Sequence, residues 1–151
     1  MRKHIDNILE KTLISIMGIM VINVLWQVFS RYILKSPSSW TDELARFLLI
    51  WLGLLGAAYA TGKKMHLAID LLPMSLEGKK ADRLNVVIQI IVLLFALFAM
   101  VLGGMRLVYI TLILEQTSAA MSVPLWIVYL VIPISGILIV YYSILNMKKE
   151  A

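Results

Sequence analysis

The chain of 151 residues contains no cysteine. That excludes a disulfide framework, a thiolate nucleophile and any cysteine-ligated metal. Charge is scarce as well. Only 15% of the residues are charged, where soluble domains carry about 25%. The two histidines, His4 and His66, both lie outside the long apolar runs, which leaves no axial ligand for a haem held within a bilayer. The first apolar run, Thr12 to Leu34, has no acidic residue. The buried carboxylate that couples small four-span exporters is therefore missing. No phosphate-binding glycine loop, nucleophile motif or pair of catalytic carboxylates occurs, so neither enzyme activity nor a cofactor is expected. The net charge of +5 does not indicate nucleic acid, because the lysines and arginines cluster at the ends of apolar runs, where membrane topology accounts for them.

What is present is apolar. Hydrophobic residues make up 61% of the chain and the mean hydropathy is +0.89. The expected fold is all-α and integral to a membrane, a single domain over 1–151 with four transmembrane helices and an amphipathic connection in the cytoplasm. The expected spans are about 12–34, 41–62, 84–114 and 125–147. The second span is the most informative. It opens on Asp42, Glu43 and Arg46, runs without charge from Phe47 to Gly62, and ends on Lys63 and Lys64. Acids at its start and lysines at its end complement the helix dipole. Its 22 residues from Thr41 to Gly62 rise about 33 Å, close to the hydrocarbon thickness of about 30 Å.

Smaller signals mark the other elements. Ile5, Ile8 and Leu9 fit a short interfacial helix ahead of span one. Asn23 and Gln27 lie four apart on span one, placed either to pack against a neighbouring helix or to line a substrate path. Ser36-Pro37-Ser38-Ser39 reads as a turn, and Thr41 as the N-cap of span two. Gly53, Gly56, Ala57 and Ala60 form a face of small residues suited to close helix approach. The connection 63–83 has an amphipathic stretch from Met65 to Leu76, broken by Pro73 and suited to a membrane surface. His66 and Asp70 lie four apart in it, too few ligands for a metal site. The third apolar segment is longer than a bilayer requires and must tilt, break near Gly103-Gly104 or project outward. Glu115 to Val123 is a loop of small residues. Pro124 suits the first turn of span four, and Pro133 should kink that span.

Lysine and arginine counts set the expected orientation. Ten fall at the termini and in the 63–83 connection, against four (Arg31, Lys35, Arg46 and Arg106) on the other side. Both termini are therefore expected in the cytoplasm, with the Trp40 end of span two and the 115–123 loop facing outward.

Arg31-Tyr32, a turn, Trp40, Asp42-Glu43, Arg46, Trp51, Gly56-Ala57, His66 and Asp70 follow one another in an order that resembles the small membrane subunit of TRAP (tripartite ATP-independent periplasmic) transporters. Pro124, Trp126, Tyr129 and Pro133 extend the resemblance into span four. The resemblance implies a bacterial inner-membrane subunit. It would serve as a fixed scaffold for a larger membrane subunit that carries the substrate and sodium sites. A soluble periplasmic substrate-binding protein would deliver an organic acid of the sialic acid or dicarboxylate class. An ion gradient rather than ATP would drive uptake.

On this reading the interface with the large subunit is expected at Trp40, Asp42, Glu43, Arg46, Trp51, Gly53, Gly56, Ala57, Ala60, His66 and Asp70. Docking of the periplasmic protein is expected at Ser38, Glu115 and Ser118, and lipid covers the remaining surface. Arg46 can pair with either acid on its own helix but cannot neutralise both. The residues leave three alternatives open. The glycine face and the charged collar can serve packing within this chain alone, and the chain can be an enzyme-complex anchor or a self-associating channel or exporter.

Overall fold

The structure is a computed structural model that describes residues 2–36, 38–63 and 79–150. The amphipathic connection with His66 and Asp70 lies outside the described residues. The described residues form helices α1 (Arg2–Tyr32), α2 (Ser39–Lys63), α3 (Lys79–Phe95), a π-helical segment (Ala96–Gly103), α4 (Gly104–Ile113), α5 (Leu125–Tyr129) and α6 (Val131–Glu150). Four stretches are long and apolar enough to cross a membrane: Arg2–Tyr32, Ser39–Lys63, Val86–Ile113 and Leu125–Met147. The chain is thus an all-α, multi-pass membrane protein, as its hydropathy implies. α1 continues unbroken through the residues expected to form a separate lead-in helix.

The fourth rod is central: α2 and the third rod pack against it, and α1 packs against α2. One apolar cluster joins Leu9, Ile16, Leu55, Val131 and Tyr142 from α1, α2 and α6. A second joins Ala58, Ala96, Met100 and Ile139 from α2, the π segment and α6. α1 sits at the edge and buries one narrow seam, Leu9, Ile16, Asn23 and Ser30, at intervals of seven residues. On α2, Thr41, Leu55 and Gly62 are buried on the same repeat, with half-buried Leu48 between them. A seven-residue repeat is the pattern of helices crossing at a shallow left-handed angle.

The third and fourth rods meet through glycine. A Cβ on Gly136 would lie 2.8 Å from Met100 Cβ and 3.2 Å from the Ala96 carbonyl oxygen. One on Gly104 would lie 2.8 Å from Ile132 Cγ2 and 3.0 Å from Pro133 Cδ. Such contacts bring backbones together where water contributes no driving force between helices and van der Waals packing must hold them. The long third rod does not break at Gly103-Gly104; it widens into π geometry from Ala96 through Gly103 and returns to α geometry at Gly104. Span four is interrupted at Leu130, between α5 and α6. Pro133 then falls in the first turn of α6, where its missing N–H costs no intrahelical bond. α2 starts at Ser39, two residues before the expected cap. Thr41 is consequently inside the first turn, and its hydroxyl donates to the Ser38 carbonyl at 2.7 Å.

Gly53 and Gly56 differ from these packed glycines. A Cβ added at either would meet nothing within 4 Å. Gly136→Ala and Gly104→Ala should therefore each lower the unfolding temperature of the purified subunit in detergent, at a cost of about 1–3 kcal/mol for overpacking. Gly53→Ala and Gly56→Ala should leave it unchanged or slightly raise it through helix propensity. Equal losses for all four in a thermal melt would contradict this assignment.

Candidate subunit and docking surfaces

At one end of the bundle the last turns of α1, the first turn of α2 and the 115–124 loop come together. Asn23 Nδ2 donates to the Thr41 carbonyl at 2.9 Å, and the Gln27 amide donates to Asp42 Oδ1. Both amide side chains of span one thus tie α1 to α2. Glu43 reaches in another direction. Its Oε1 accepts the Ala120 N–H and its Oε2 the Met121 N–H, each at 3.0 Å. The loop it holds is itself braced. The Leu125 N–H donates to the Gln116 carbonyl at 2.9 Å, and the Ser118 N–H to the Val123 carbonyl at 2.9 Å. Val123 N–H also donates to Ser118 Oγ at 3.3 Å. Thr117 and Pro124 form an antiparallel bridge. Glu115 and Ser122 take positive φ angles of 47° and 54° at the bends.

Arg46 pairs with neither acid: among the described residues the only ion pair joins Arg2 and Asp6. The reason is geometric. Asp42 and Glu43 are already met by donors fixed on other elements, while Arg46 points outward and is exposed. Below it on the same face lie exposed Leu49, Gly53 and Ala57 and half-buried Gly56 and Ala60. At about 100° per residue these positions form one outward stripe.

The other expected site residues lie elsewhere. Trp51 turns inward, and its indole N–H donates to the Val128 carbonyl at 3.1 Å. Val128 is in the last turn of α5, where carbonyls lose their intrahelical partners. Trp40 is exposed beside a shallow apolar groove that it forms with Trp26, Ile19, Ile22, Asn23 and Leu44. Ser38 is half-buried, its hydroxyl 3.0 Å from that of Thr41. Ser118 is buried and braces the loop from inside, while Glu115, Ala119 and Ala120 are exposed. The tip residues Ala119 and Ala120 carry no chemical signal in the sequence that would single them out.

The opposite end is closed by a second set of bonds. The Arg2 guanidinium donates to the Gly62 carbonyl, and Asn146 Nδ2 donates to the Thr61 carbonyl at 3.0 Å. The Tyr142 hydroxyl donates to Asp6 Oδ1 at 2.6 Å. Tyr142 lies flat over Gly62, where a Cβ would approach its ring to 2.9 Å.

The bundle is thus closed at both ends by its own side chains, and a stripe of small residues on α2 is left open. Comparison with known proteins gives its family. The family described as tripartite ATP-independent periplasmic transporters, DctQ component, matches residues 20–151, and the chain belongs to it. It is 30% identical to the sialic acid TRAP transporter small permease protein SiaQ of Vibrio cholerae, over 99% of this chain and 86% of the relative. It is 32% identical to the sialic acid TRAP transporter permease protein SiaT of Haemophilus influenzae, over 62% of this chain and only 14% of that much longer relative. It is 30% identical to the C4-dicarboxylate TRAP transporter small permease protein DctQ of Rhodobacter capsulatus, over 68% of this chain and 44% of the relative. Small permease subunits of this family partner with large permease subunits.

The Trp51 bond yields a direct check. Trp51→Phe keeps most of the ring volume but leaves the Val128 carbonyl without its donor. The unfolding temperature should fall by the equivalent of about 1–3 kcal/mol, the cost of a buried acceptor left unmet. A melt indistinguishable from wild type would show that the carbonyl has another partner.

Proposed function

We propose that the chain is the small permease subunit of a TRAP system that takes up an organic acid, driven by a sodium gradient. Its role is to provide a fixed frame for the large permease subunit. The observation that carries this reading is the open stripe on α2. In this bundle the glycines that pack internally are Gly62, Gly104 and Gly136, whereas Gly53 and Gly56 face empty space. A surface of small residues in a bilayer gains little from lipid tails and much from another helix at close range. We assign Arg46, Gly53, Gly56, Ala57 and Ala60 to the large-subunit interface, with Arg46 meeting an acidic group there. Asp42 faces α1 through Gln27, Glu43 faces the 115–124 loop, Trp51 turns inward to Val128, and Trp40 lies on a different face beside Trp26. The longer relative, in which the stretch like this chain is a small part of one permease polypeptide, supports pairing with a larger membrane partner. The names of relatives support the sialic acid or dicarboxylate class of substrate.

A frame must not deform while the partner moves, and the interior suits that: Val131, Ser135, Tyr142 and Ser143 are fully buried. Orientation follows from the ten-to-four distribution of lysine and arginine, which puts both termini in the cytoplasm and the Glu43 loop on the periplasmic side.

Gly53→Leu combined with Ala57→Leu should leave the isolated subunit folded, since both side chains enter open space. It should abolish copurification with the large subunit and organic-acid uptake in membranes. Normal copurification would move the interface to another face. Reporter fusions after Ala151 and near Ser38 should show opposite sidedness; the same side for both would refute the topology.

A further inference from the structure

A second polar site lies at the end of the bundle away from the 115–124 loop. Between the first turns of α1 and the last residue of α2 is a cleft of about 510 Å³, lined by Lys3, His4, Asp6, Asn7, Glu10 and Lys63. Its carboxylates are already engaged. Asp6 pairs with Arg2 at 4.0 Å and accepts the Tyr142 hydroxyl. Glu10 accepts the Tyr59 hydroxyl at 3.3 Å. The Lys63 ammonium lies 5.3 Å from the centre of the same tyrosine ring, a contact that holds the cation without neutralising it. Among the described residues no carboxylate pairs with Lys3 or Lys63. With Asp6 balanced by Arg2, two lysines face one glutamate, and the cleft is left positive.

Depth in the membrane narrows the class of ligand. The stretch from Thr12 to Ser30 carries no charge over 19 residues. It rises about 28 Å, against a hydrocarbon thickness of about 30 Å. The charge-free run of α2 ends at Gly62. Glu10 and Lys63 therefore stand at the edge of the hydrocarbon, and Lys3 among the headgroups. Lys3, Asn7 and Glu10 continue at intervals of four and three through Ile14, Met17 and Val21, so all six share one face of α1. The last three are exposed. A positive cleft at headgroup depth, in line with an apolar track through the hydrocarbon, matches an amphiphile rather than a soluble anion. We propose that the cleft binds the headgroup of an anionic glycerophospholipid, with Lys3 and Lys63 meeting the phosphate and one acyl chain lying along Ile14, Met17 and Val21. Basic pockets between membrane helices take such headgroups. Tyr59 is a positioning residue: it engages Glu10 and Lys63 separately and so leaves the lysine charge for the lipid. Orientation does not affect the binding, because both leaflets carry phosphate headgroups.

The experiment titrates the full chain, in a nonionic detergent, with phosphatidylglycerol or phosphatidylcholine and counts bound lipid by native mass spectrometry. Wild type should hold a single phosphatidylglycerol about tenfold more tightly than phosphatidylcholine, as expected for two lysines at a membrane surface. Lys3→Gln combined with Lys63→Gln should remove that preference. Both lysines are exposed, so the unfolding temperature should not change. Arg31→Gln combined with Lys35→Gln makes the same charge change at the other end of the bundle, well beyond the screening length, and should alter affinity by less than about twofold. Tyr59→Phe frees Glu10 to pair with Lys63 and should give an intermediate affinity. Glycerol phosphate, the soluble headgroup, should not displace the lipid. Equal binding of the two lipids by wild type would overturn the proposal. So would an equal loss from the Arg31 and Lys35 variant, which would reduce the effect to overall charge. Displacement by glycerol phosphate would make the cleft a site for a soluble phosphate ester and overturn its assignment to lipid.

Discussion

Hydrocarbon supplies no water to a backbone group, so each place where a membrane helix starts, stops or loosens needs a partner from somewhere else. That requirement organises this chain. Where α5 ends, the Val128 carbonyl is met by Trp51. Where α2 ends, the Thr61 and Gly62 carbonyls are met by Asn146 and Arg2. Where the third rod gives way to the fourth, Glu43 satisfies two loop amides. In each case the partner comes from another segment, so satisfying the backbone also joins the rods.

The glycines divide the surface in a complementary way. Gly104 and Gly136 bring the third and fourth rods together so closely that no side chain fits between them. The π segment beside them places Ala96 and Met100 against α6. Gly53 and Gly56 resemble these in sequence yet face outward. One set closes the bundle on itself, and the other lies on its outer surface.

Much of the fold was legible in the sequence. Four apolar runs, the turn before Trp40 and the small-residue loop after Leu114 follow from hydropathy and turn chemistry, because in a bilayer these signals face little competition. Pairings were less legible. Glu43 and Arg46 lie three apart on one helix, so local spacing favoured an ion pair. A rigid loop with two free N–H groups competes better than a flexible exposed guanidinium, and nothing in the loop sequence announces that. Pro133 marked span four for distortion correctly, but the interruption fell at Leu130 because proline is accommodated in a first turn. Trp51 was expected at the subunit interface, but its carbonyl partner lies 77 positions away within the chain and no periodicity points to it. Periodicity also cannot say which of two glycine faces a bundle will close upon.

The seam on α1 carries a different kind of consequence. Full burial recurs only at Leu9, Ile16, Asn23 and Ser30, Ile5 and Leu13 pack beside that seam, and the rest of the helix's outer face meets no other rod among the described residues. Sequence on that outer face is nearly free to drift, provided it stays apolar and helical. The outermost rod is therefore where this subunit can be re-dressed for a thicker bilayer or a different lipid without disturbing the three rods behind it.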